Sequence, residues 1–448
     1  MTAVYLKSAP QAAAQHDAST AKTVADILAD IEAGGEAAVR RWSDSLDSWC
    51  PASFLVSRDE VERAAAAVPA AIRADIDFSL EQVRTFAAAQ RASMTDLEIE
   101  LSPGVIAGHR NVPVDVAGCY VPGGRYSHVA SAAMSIGTAK TAGVPFVVAC
   151  SPPRPVADGN SHGDGPRGIH PATVYAMDRA GADAILCLGG VQAIATMAFG
   201  LYTGRAADVL AGPGNRFVAE AKRLLFGRVG IDVFAGPTEA LIIADETADP
   251  WLIAVDLVSQ AEHGPDSPTV VITTSRTVGE EVLRLVPEAL SGLPSEETAS
   301  AAWTNCGEVA VVDTREEAAS LSDRYGSEHV EVHAADLAWW HDNLRNYGTL
   351  FLGEETTVTY GDKSSGPNHI LPTRGASRYT GGLWVGKFLK TLSFQSMTRE
   401  ASRAVGQVAA RVSRIEGMEG HARSADVRIA KYFPGERVNL VPDESAHG

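Results

Sequence analysis

The sequence predicts an α/β protein of two Rossmann-like domains with parallel sheets, carrying helical N- and C-terminal extensions. Three observations carry that expectation. Short apolar runs at 145–150, 184–188, 209–211, 240–244, 269–273 and 308–312 read as strands buried on both faces. They alternate with helical periodicity at 172–180, 191–199, 217–226 and 277–290, at about 30 residues per strand–helix pair, as βαβ units require. Glycine-rich turns, Gly189-Gly190 and Gly212-Pro213-Gly214-Asn215, each fall between a strand and the helix after it.

Taken in order, residues 1–19 are polar and alanine-rich and read as an arm. Apolar positions recur at helical spacing through residues 20–90, and 98–106 and 111–119 read as strands. A turn at 120–126 precedes a helix at 131–142, and 151–171, rich in Pro, Gly, Asp and His, is a surface loop. A further strand is expected at 231–234. The helix that follows 240–244 ends near Gln260 and His263 at a Gly264-Pro265 break. After Leu383 the composition turns helical and polar, with 399–414 the clearest helix. The expected domains are the arm 1–19, a first α/β domain from 20–119 and 238–383, an inserted second domain at 120–237, and a helical tail at 384–448.

Length and composition suit two or three domains with sizeable cores: 448 residues, 45% hydrophobic and 21% charged. The net charge of −17 argues against nucleic acid or an anionic membrane as partner, but not against small anions met by a local pocket. The five cysteines are odd in number, widely spaced and without a CxxC pair, so neither a disulfide framework nor a thiolate metal cluster is expected. No apolar leader follows Met1 and no run of 18 apolar residues occurs, which points to a cytoplasmic protein.

Several residues could carry chemistry. Gln260 and His263 are three apart and share a helix face, which Asp256 extends one turn back. An amide oxygen and an imidazole so placed can bind a divalent cation, although such a pair taken alone is more often a polar patch at a helix end. Glu328-His329 puts a carboxylate beside an imidazole, suited to two proton-transfer steps, or simply a surface Glu and a half-buried His. The loop from Tyr360 to His369 carries Asp362, Lys363 and His369 among glycines. The two glycine turns let backbone approach a phosphate at a helix N-terminus, although the full GxGxxG fingerprint is absent and tight α/β turns explain them as well.

These words, in this order, resemble the histidinol dehydrogenase family over nearly the whole chain. They are Tyr120-Val-Pro-Gly-Gly124, Ala149-Cys-Ser-Pro-Pro153, Gly189-Gly-Val-Gln192, Gly212-Pro-Gly-Asn215, Ile231-Asp232, Ala235-Gly-Pro237, Ser259-Gln-Ala-Glu-His263, Glu328-His329, Gly366 and Asn368-His-Ile-Leu-Pro-Thr373. The resemblance implies an enzyme that oxidises an alcohol held on zinc twice with NAD, through an aldehyde, to a carboxylate. It implies that Gln260, His263, Asp362 and His421 hold the zinc. His329 would take the hydroxyl proton, and Glu328 would help activate the water that hydrates the aldehyde. Tyr120, Gln192 and Asn215 would contact NAD, while Thr238, Glu416, His329 and the zinc ligands face the substrate. It further implies a homodimer with exchanged C-terminal parts, so that His421 completes the other subunit's site.

The chain departs from the biosynthetic pattern where a cationic substrate would sit. Lys363 follows the zinc aspartate where those enzymes usually have Tyr, Thr238 replaces their Ser, and Arg125 and His128 alter the segment after Pro-Gly-Gly. A desolvated cation disfavours cationic histidinol and favours an anion. Together with Thr380-Gly-Gly-Leu-Trp-Val385, these residues resemble the family's sulfopropanediol dehydrogenase branch. The expected substrate is therefore a small anionic diol such as 2,3-dihydroxypropane-1-sulfonate, oxidised to 3-sulfolactate, with Lys363, Arg125 and His128 available to read the anion. The rival readings are L-histidinol dehydrogenase and a non-catalytic metal- or ligand-binding paralogue.

Overall fold

The structure is a computed structural model that describes residues 3–10, 18–123, 127–154, 168–233, 236–436 and 438. The chain forms two compact units, residues 1–91 with 113–388 and residues 92–112 with 389–448. In chain order the first strands are β1 (Val4–Lys7), β2 (Leu97–Ser102) and β3 (Val105–Pro113).

The larger unit holds two parallel sheets. The first comprises β4 (Val116–Tyr120), β5 (Phe146–Ser151), β6 (Ala184–Cys187), β7 (Val209–Ala211) and β8 (Gly230–Ile231), in the order β6-β5-β4-β7-β8. All five residues of β4 are buried, as expected of a central parallel strand. The helix Ala18–Asp47 packs on the helices Gly190–Phe199 and Arg216–Leu225. Its Val24, Ile27, Ile31 and Val39 join Leu186, Ile194, Leu210 and Val218 in one core. The expected division therefore changes: β4 and this helix belong with the first sheet, not with 238–383. Periodicity marks the apolar stripe of a helix but not the sheet it will cover.

The second sheet comprises β9 (Ala240–Ala244), β10 (Thr269–Thr273), β11 (Gly307–Val311), β12 (His329–His333) and β13 (Thr349–Leu352), all parallel. β1 adds an antiparallel edge against β11, so part of the expected arm is a strand. The order is β1-β11-β10-β9-β12-β13. Leaving β1 aside, both sheets repeat one Rossmann order, third-second-first-fourth-fifth along the chain. On one face Ile242, Val271 and Val309 pack under the helices Pro250–Ala261, Arg276–Leu290 and Glu296–Cys306. On the other, Leu241, Ile243, Val330 and Val332 pack under the helix Arg315–Tyr325 and Trp340.

The smaller unit is not the all-helical tail expected from 384 onward. It contains β14 (Leu389–Met397), a nine-residue strand that joins a sheet of order β14-β3-β2. The alternation of Leu392 and Phe394 with polar neighbours was a period-two signal inside a polar stretch. β2 and β3 form an antiparallel hairpin where one strand at 98–106 was expected, because Pro103-Gly104 turns the chain. The expected strand at 111–119 likewise divides between the end of β3 and β4. The helices Arg399–Ile415 and Glu419–Tyr432 pack on each other and are tied by an Arg414–Asp426 ion pair at 2.6 Å. Among the described residues, no helix is long and apolar enough to cross a membrane.

Candidate active site

Parallel βα topology brings a set of side chains to the amino edge of the second sheet. A helix that follows a strand returns antiparallel to it, so the end of Pro250–Ala261 lies beside the start of the next strand. That places Gln260 and His263 at the edge where β9 and β12 begin. Thr238 and Glu239 immediately precede β9, and His329 is the first residue of β12. The short helix Val358–Lys363 adds Asp362. It seats closely because Gly361 has no side chain: a Cβ there would stand 2.6 Å from the Phe351 ring. A cavity of about 240 Å³ opens here, lined by His329, Phe351, Asp362, Asn368, His369 and Leu371.

His329 is buried, and its Nδ1 lies 2.9 Å from the Glu239 carbonyl oxygen. A carbonyl only accepts, so Nδ1 carries the hydrogen and Nε2 presents its lone pair in the neutral ring. That Nε2 has no hydrogen-bond partner among the described residues; Asp362 Oδ1 stands 3.6 Å away, just outside hydrogen-bond reach. Glu328 Oε2 accepts from the Thr238 hydroxyl at 2.7 Å and from the Glu239 amide at 3.0 Å, and lies 3.6 Å from His329 Nδ1. His369 is fixed in the same way. Its Nδ1 donates to the Asp362 carbonyl at 2.8 Å, leaving Nε2 to accept from Ser131 Oγ at 3.0 Å. Asn368 Nδ2 donates to Met134 O at 2.8 Å, so the 368–369 segment fastens the second sheet's loops to the first lobe.

The charges pull against one another. Burial pushes the Glu328 carboxyl up to about 7, although His329 and the Thr238 hydrogen bond oppose this. Burial works against a charged His329, but Glu328 and Asp362 outweigh it and raise its pKa to about 9. Burial would also raise Asp362, yet His329, His369 and Lys363 hold it well below the usual carboxylate range. Burial lowers the pKa of His263, with Asp362 opposing, although part of that residue remains exposed at the rim. Burial, Lys363, His369 and His263 together bring His128 down to about 4. Gln260 is buried, and its Oε1 has no partner among the described residues.

The carboxyl edge of the first sheet collects the other expected residues. Tyr120 ends β4, Gly212 to Asn215 follow β7, and β4 and β7 are neighbours where the strand order reverses. Such switch points are where open α/β sheets bind ligands. The Tyr120 hydroxyl accepts from the Gly190 amide at 3.3 Å, Gln192 donates to Asp47 at 2.7 Å, and Asn215 caps its own helix. Gly212 has φ 121°, and a Cβ on it would stand 2.0 Å from the Tyr120 carbonyl oxygen. Buried Lys222 and Asp232 hold this turn. Lys222 Nζ donates to Gly212 O at 2.8 Å and to Asp232 Oδ1 at 2.5 Å, and Asp232 Oδ2 accepts from Gly212 N at 2.7 Å.

The larger unit thus brings Thr238, Gln260, His263, Glu328, His329, Asp362, Lys363 and His128 to one region. Lys363 Nζ lies 3.6 Å from Asp362 Oδ2 with its side chain 58% exposed. Arg125 lies outside the described residues, as does most of the 151–171 loop. Glu416 and His421 belong to the smaller unit, both exposed where its two helices join. Sequence reasoning missed Glu239, whose carbonyl orients His329, and Ser131, which orients His369. Nothing in their local sequence marks a residue that acts through a backbone carbonyl or a single hydroxyl.

Paired Rossmann-type sheets, one with a glycine turn at its switch point and the other with a buried acid–base cluster, make an α/β architecture of the kind enzymes use. The chain belongs to the histidinol dehydrogenase family, oxidoreductases acting on CH–OH groups: the family model described as histidinol dehydrogenase matches residues 10–429. It is 52% identical to sulfopropanediol 3-dehydrogenase of Ruegeria pomeroyi over 98% of this chain and 99% of that one. It is 52% identical to a histidinol dehydrogenase homolog of Pelagibacter ubique over 96% of this chain and 99% of that one. The crystal structure of histidinol dehydrogenase from Elizabethkingia anophelis superposes with a TM-score of 0.86 at 31% identity, covering 94% of each chain.

Proposed function

We propose that this protein is an NAD- and zinc-dependent four-electron dehydrogenase that takes a primary alcohol through its aldehyde to a carboxylate. The observation that carries the reading is the pair of orphaned polar atoms in the buried cluster. Among the described residues Gln260 Oε1 and His329 Nε2 have no hydrogen-bond partner, the latter 3.6 Å from an ionised Asp362, a state that costs about 1–3 kcal/mol per atom unless something fills the gap. Gln260, His263 and Asp362 offer the mixed N/O donors that zinc accepts, with His421 as the fourth. On the other sheet, the side-chain-free Gly212 and Gln192 Oε1, which has no hydrogen-bond partner among the described residues, fit a dinucleotide lying near Tyr120 and Asn215. Bound zinc would hold and polarise the alcohol oxygen, and NAD would carry away the hydride.

The chain's own residues supply the proton transfers. His329, its Nδ1–H committed to the Glu239 carbonyl, accepts the hydroxyl proton at Nε2 in its neutral form. Glu328, positioned through Oε2 by Thr238, uses its other oxygen to activate the water that hydrates the aldehyde. The hydrate then gives up a second proton and a second hydride. One alcohol, one water and two NAD⁺ yield one carboxylate, two NADH and three protons.

The substrate we assign is a small anionic diol such as 2,3-dihydroxypropane-1-sulfonate. The half-exposed ammonium of Lys363 beside the site favours an anion over the cation histidinol, and the Ruegeria pomeroyi relative supports the same choice. The functional unit is a cytoplasmic homodimer. In the smaller unit Val405, Val408, Val412 and Ile415 make an exposed apolar stripe, and Leu97, Ile99 and Leu101 another, which a partner chain would cover. That partner would receive Glu416 and His421. Recording NADH formation with the sulfonate diol and with histidinol tests the reading. It expects two NADH per molecule of sulfonate. Turnover of histidinol alone removes the substrate assignment, and no NADH from any primary alcohol with zinc-loaded protein removes the chemistry.

A further inference from the structure

β12 carries three ionisable side chains on one face. His329, Glu331 and His333 alternate with Val330 and Val332, which enter the opposite core. Facing this row is the helix Pro250–Ala261, with Asp256 one turn before Gln260. A four-residue helical step of about 6 Å nearly matches a two-residue strand step of about 6.7 Å. The match repeats the polar pairing: His329 stands near the Gln260 end, and Glu331 and His333 near Asp256.

This second cluster has the geometry of a ligand set. One potential ligand atom from each of Asp256, Glu331 and His333 lies within 4.8 Å of the others. His333 Nε2 is 3.5 Å from Glu331 Oε2 and 3.9 Å from Asp256 Oδ2. Two ligands each about 2.1 Å from a tetrahedral zinc are roughly 3.4 Å apart. The remaining carboxylate oxygens are already engaged. Asp256 Oδ1 accepts from the Thr357 hydroxyl at 2.9 Å, and Glu331 Oε1 accepts from the Val358 amide at 2.7 Å. The inward atoms face one another only at 3.5–3.9 Å: Glu331 Oε2 and both ring nitrogens of His333 have no hydrogen-bond partner among the described residues. These side chains are only 2% and 1% exposed.

We propose that Asp256, Glu331 and His333 bind a second divalent transition-metal ion, one helical turn from the Gln260–His263–Asp362 set. Two carboxylate oxygens and an imidazole nitrogen suit zinc or manganese. The ion's role is to hold structure. The same two carboxylates grip Thr357 and Val358, where the short helix bearing Asp362 begins. The ion thereby ties that helix and Pro250–Ala261 to β12, and with them the side chains of the neighbouring cluster.

The test is a metal count on the full-length protein, stripped with chelator and dialysed to equilibrium against Zn²⁺. Two zinc ions per chain are expected in the wild type. One is expected in Asp256→Asn, one in His333→Leu, and one in His263→Ala. Asp256→Asn is nearly isosteric and its side chain keeps 18% exposure, so it serves if His333→Leu does not fold. The proposal is overturned by a single wild-type zinc that Asp256→Asn leaves in place, or by two that survive both Asp256→Asn and His333→Leu. A single zinc that survives His263→Ala but is lost in Asp256→Asn supports this site and overturns the catalytic-metal reading instead.

Discussion

The two parallel sheets share one strand order but concentrate polar groups at opposite ends. In the first, strands β4 to β7 are apolar or small throughout, and the notable groups lie past their carboxyl ends: Tyr120, the Gly212 turn and Asn215. In the second, they lie at the amino ends: Thr238 and Glu239 before β9, Glu328 and His329 at the start of β12. The first edge offers backbone, with glycine where a Cβ would collide. The second offers titratable side chains, buried and set against one another. Repeating a topology therefore does not repeat a site. The carboxyl edge brings backbone into close approach through glycine, whereas the amino edge gathers its titratable groups because a helix end and the 358–369 segment deliver side chains to it.

The largest expected effect is on the amino edge. His329→Asn should lower turnover by about 10²–10⁴-fold while bound zinc stays unchanged. Loss of zinc along with activity would make His329 part of the metal site rather than a proton acceptor. At the carboxyl edge, Lys222→Met should act on stability. It strands the buried Asp232 carboxylate and should cost about 3–5 kcal/mol in denaturant unfolding. A cost under about 1 kcal/mol would mean that the ion pair does not hold the Gly212 turn.

A pH series on Glu328 sharpens the contrast. The folded carboxyl is raised to about 7 from an ordinary 4.5, so the folded state keeps a proton that the unfolded chain has lost. Stability present below pH 4.5 is lost as pH rises toward 7. The stability of Glu328→Gln relative to wild type should therefore increase across that window, by at most about 1.4 kcal/mol per pH unit. A difference that stays flat from pH 5 to pH 8 contradicts the buried-carboxyl account. The smallest effect concerns Lys363. Lys363→Tyr should raise KM for the anionic diol roughly two- to five-fold, the scale of an exposed ion pair, with little change in kcat. An unchanged KM means that Lys363 does not read the anion.

Much of the fold was legible because buried parallel strands and amphipathic helices leave strong periodic signals. The runs at 145–150, 240–244 and 269–273 each became a strand. β12 was not read, because His-Val-Glu-Val-His places polar side chains where a buried strand should be apolar. The same alternation, three ionisable groups at period two, was the local sign of the second cluster. Lys222 gave no sign at all, since a buried lysine in a helix looks like a solvated one until Asp232 is placed beside it.

Residue types and spacing alone determined the class of chain: two α/β repeats, glycine at the turns that need it, and a Gln/His pair at a helix end. These follow from local rules, in which each residue answers to neighbours a few positions away. The tertiary structure alone decided which edge of each sheet carries the polar groups, which nitrogen of His329 is left free, and that Asp256 faces Glu331 and His333. Those depend on distances between residues about 70 to 100 positions apart in the chain, which close only when helices return across their sheets and burial forces unpaired polar atoms together.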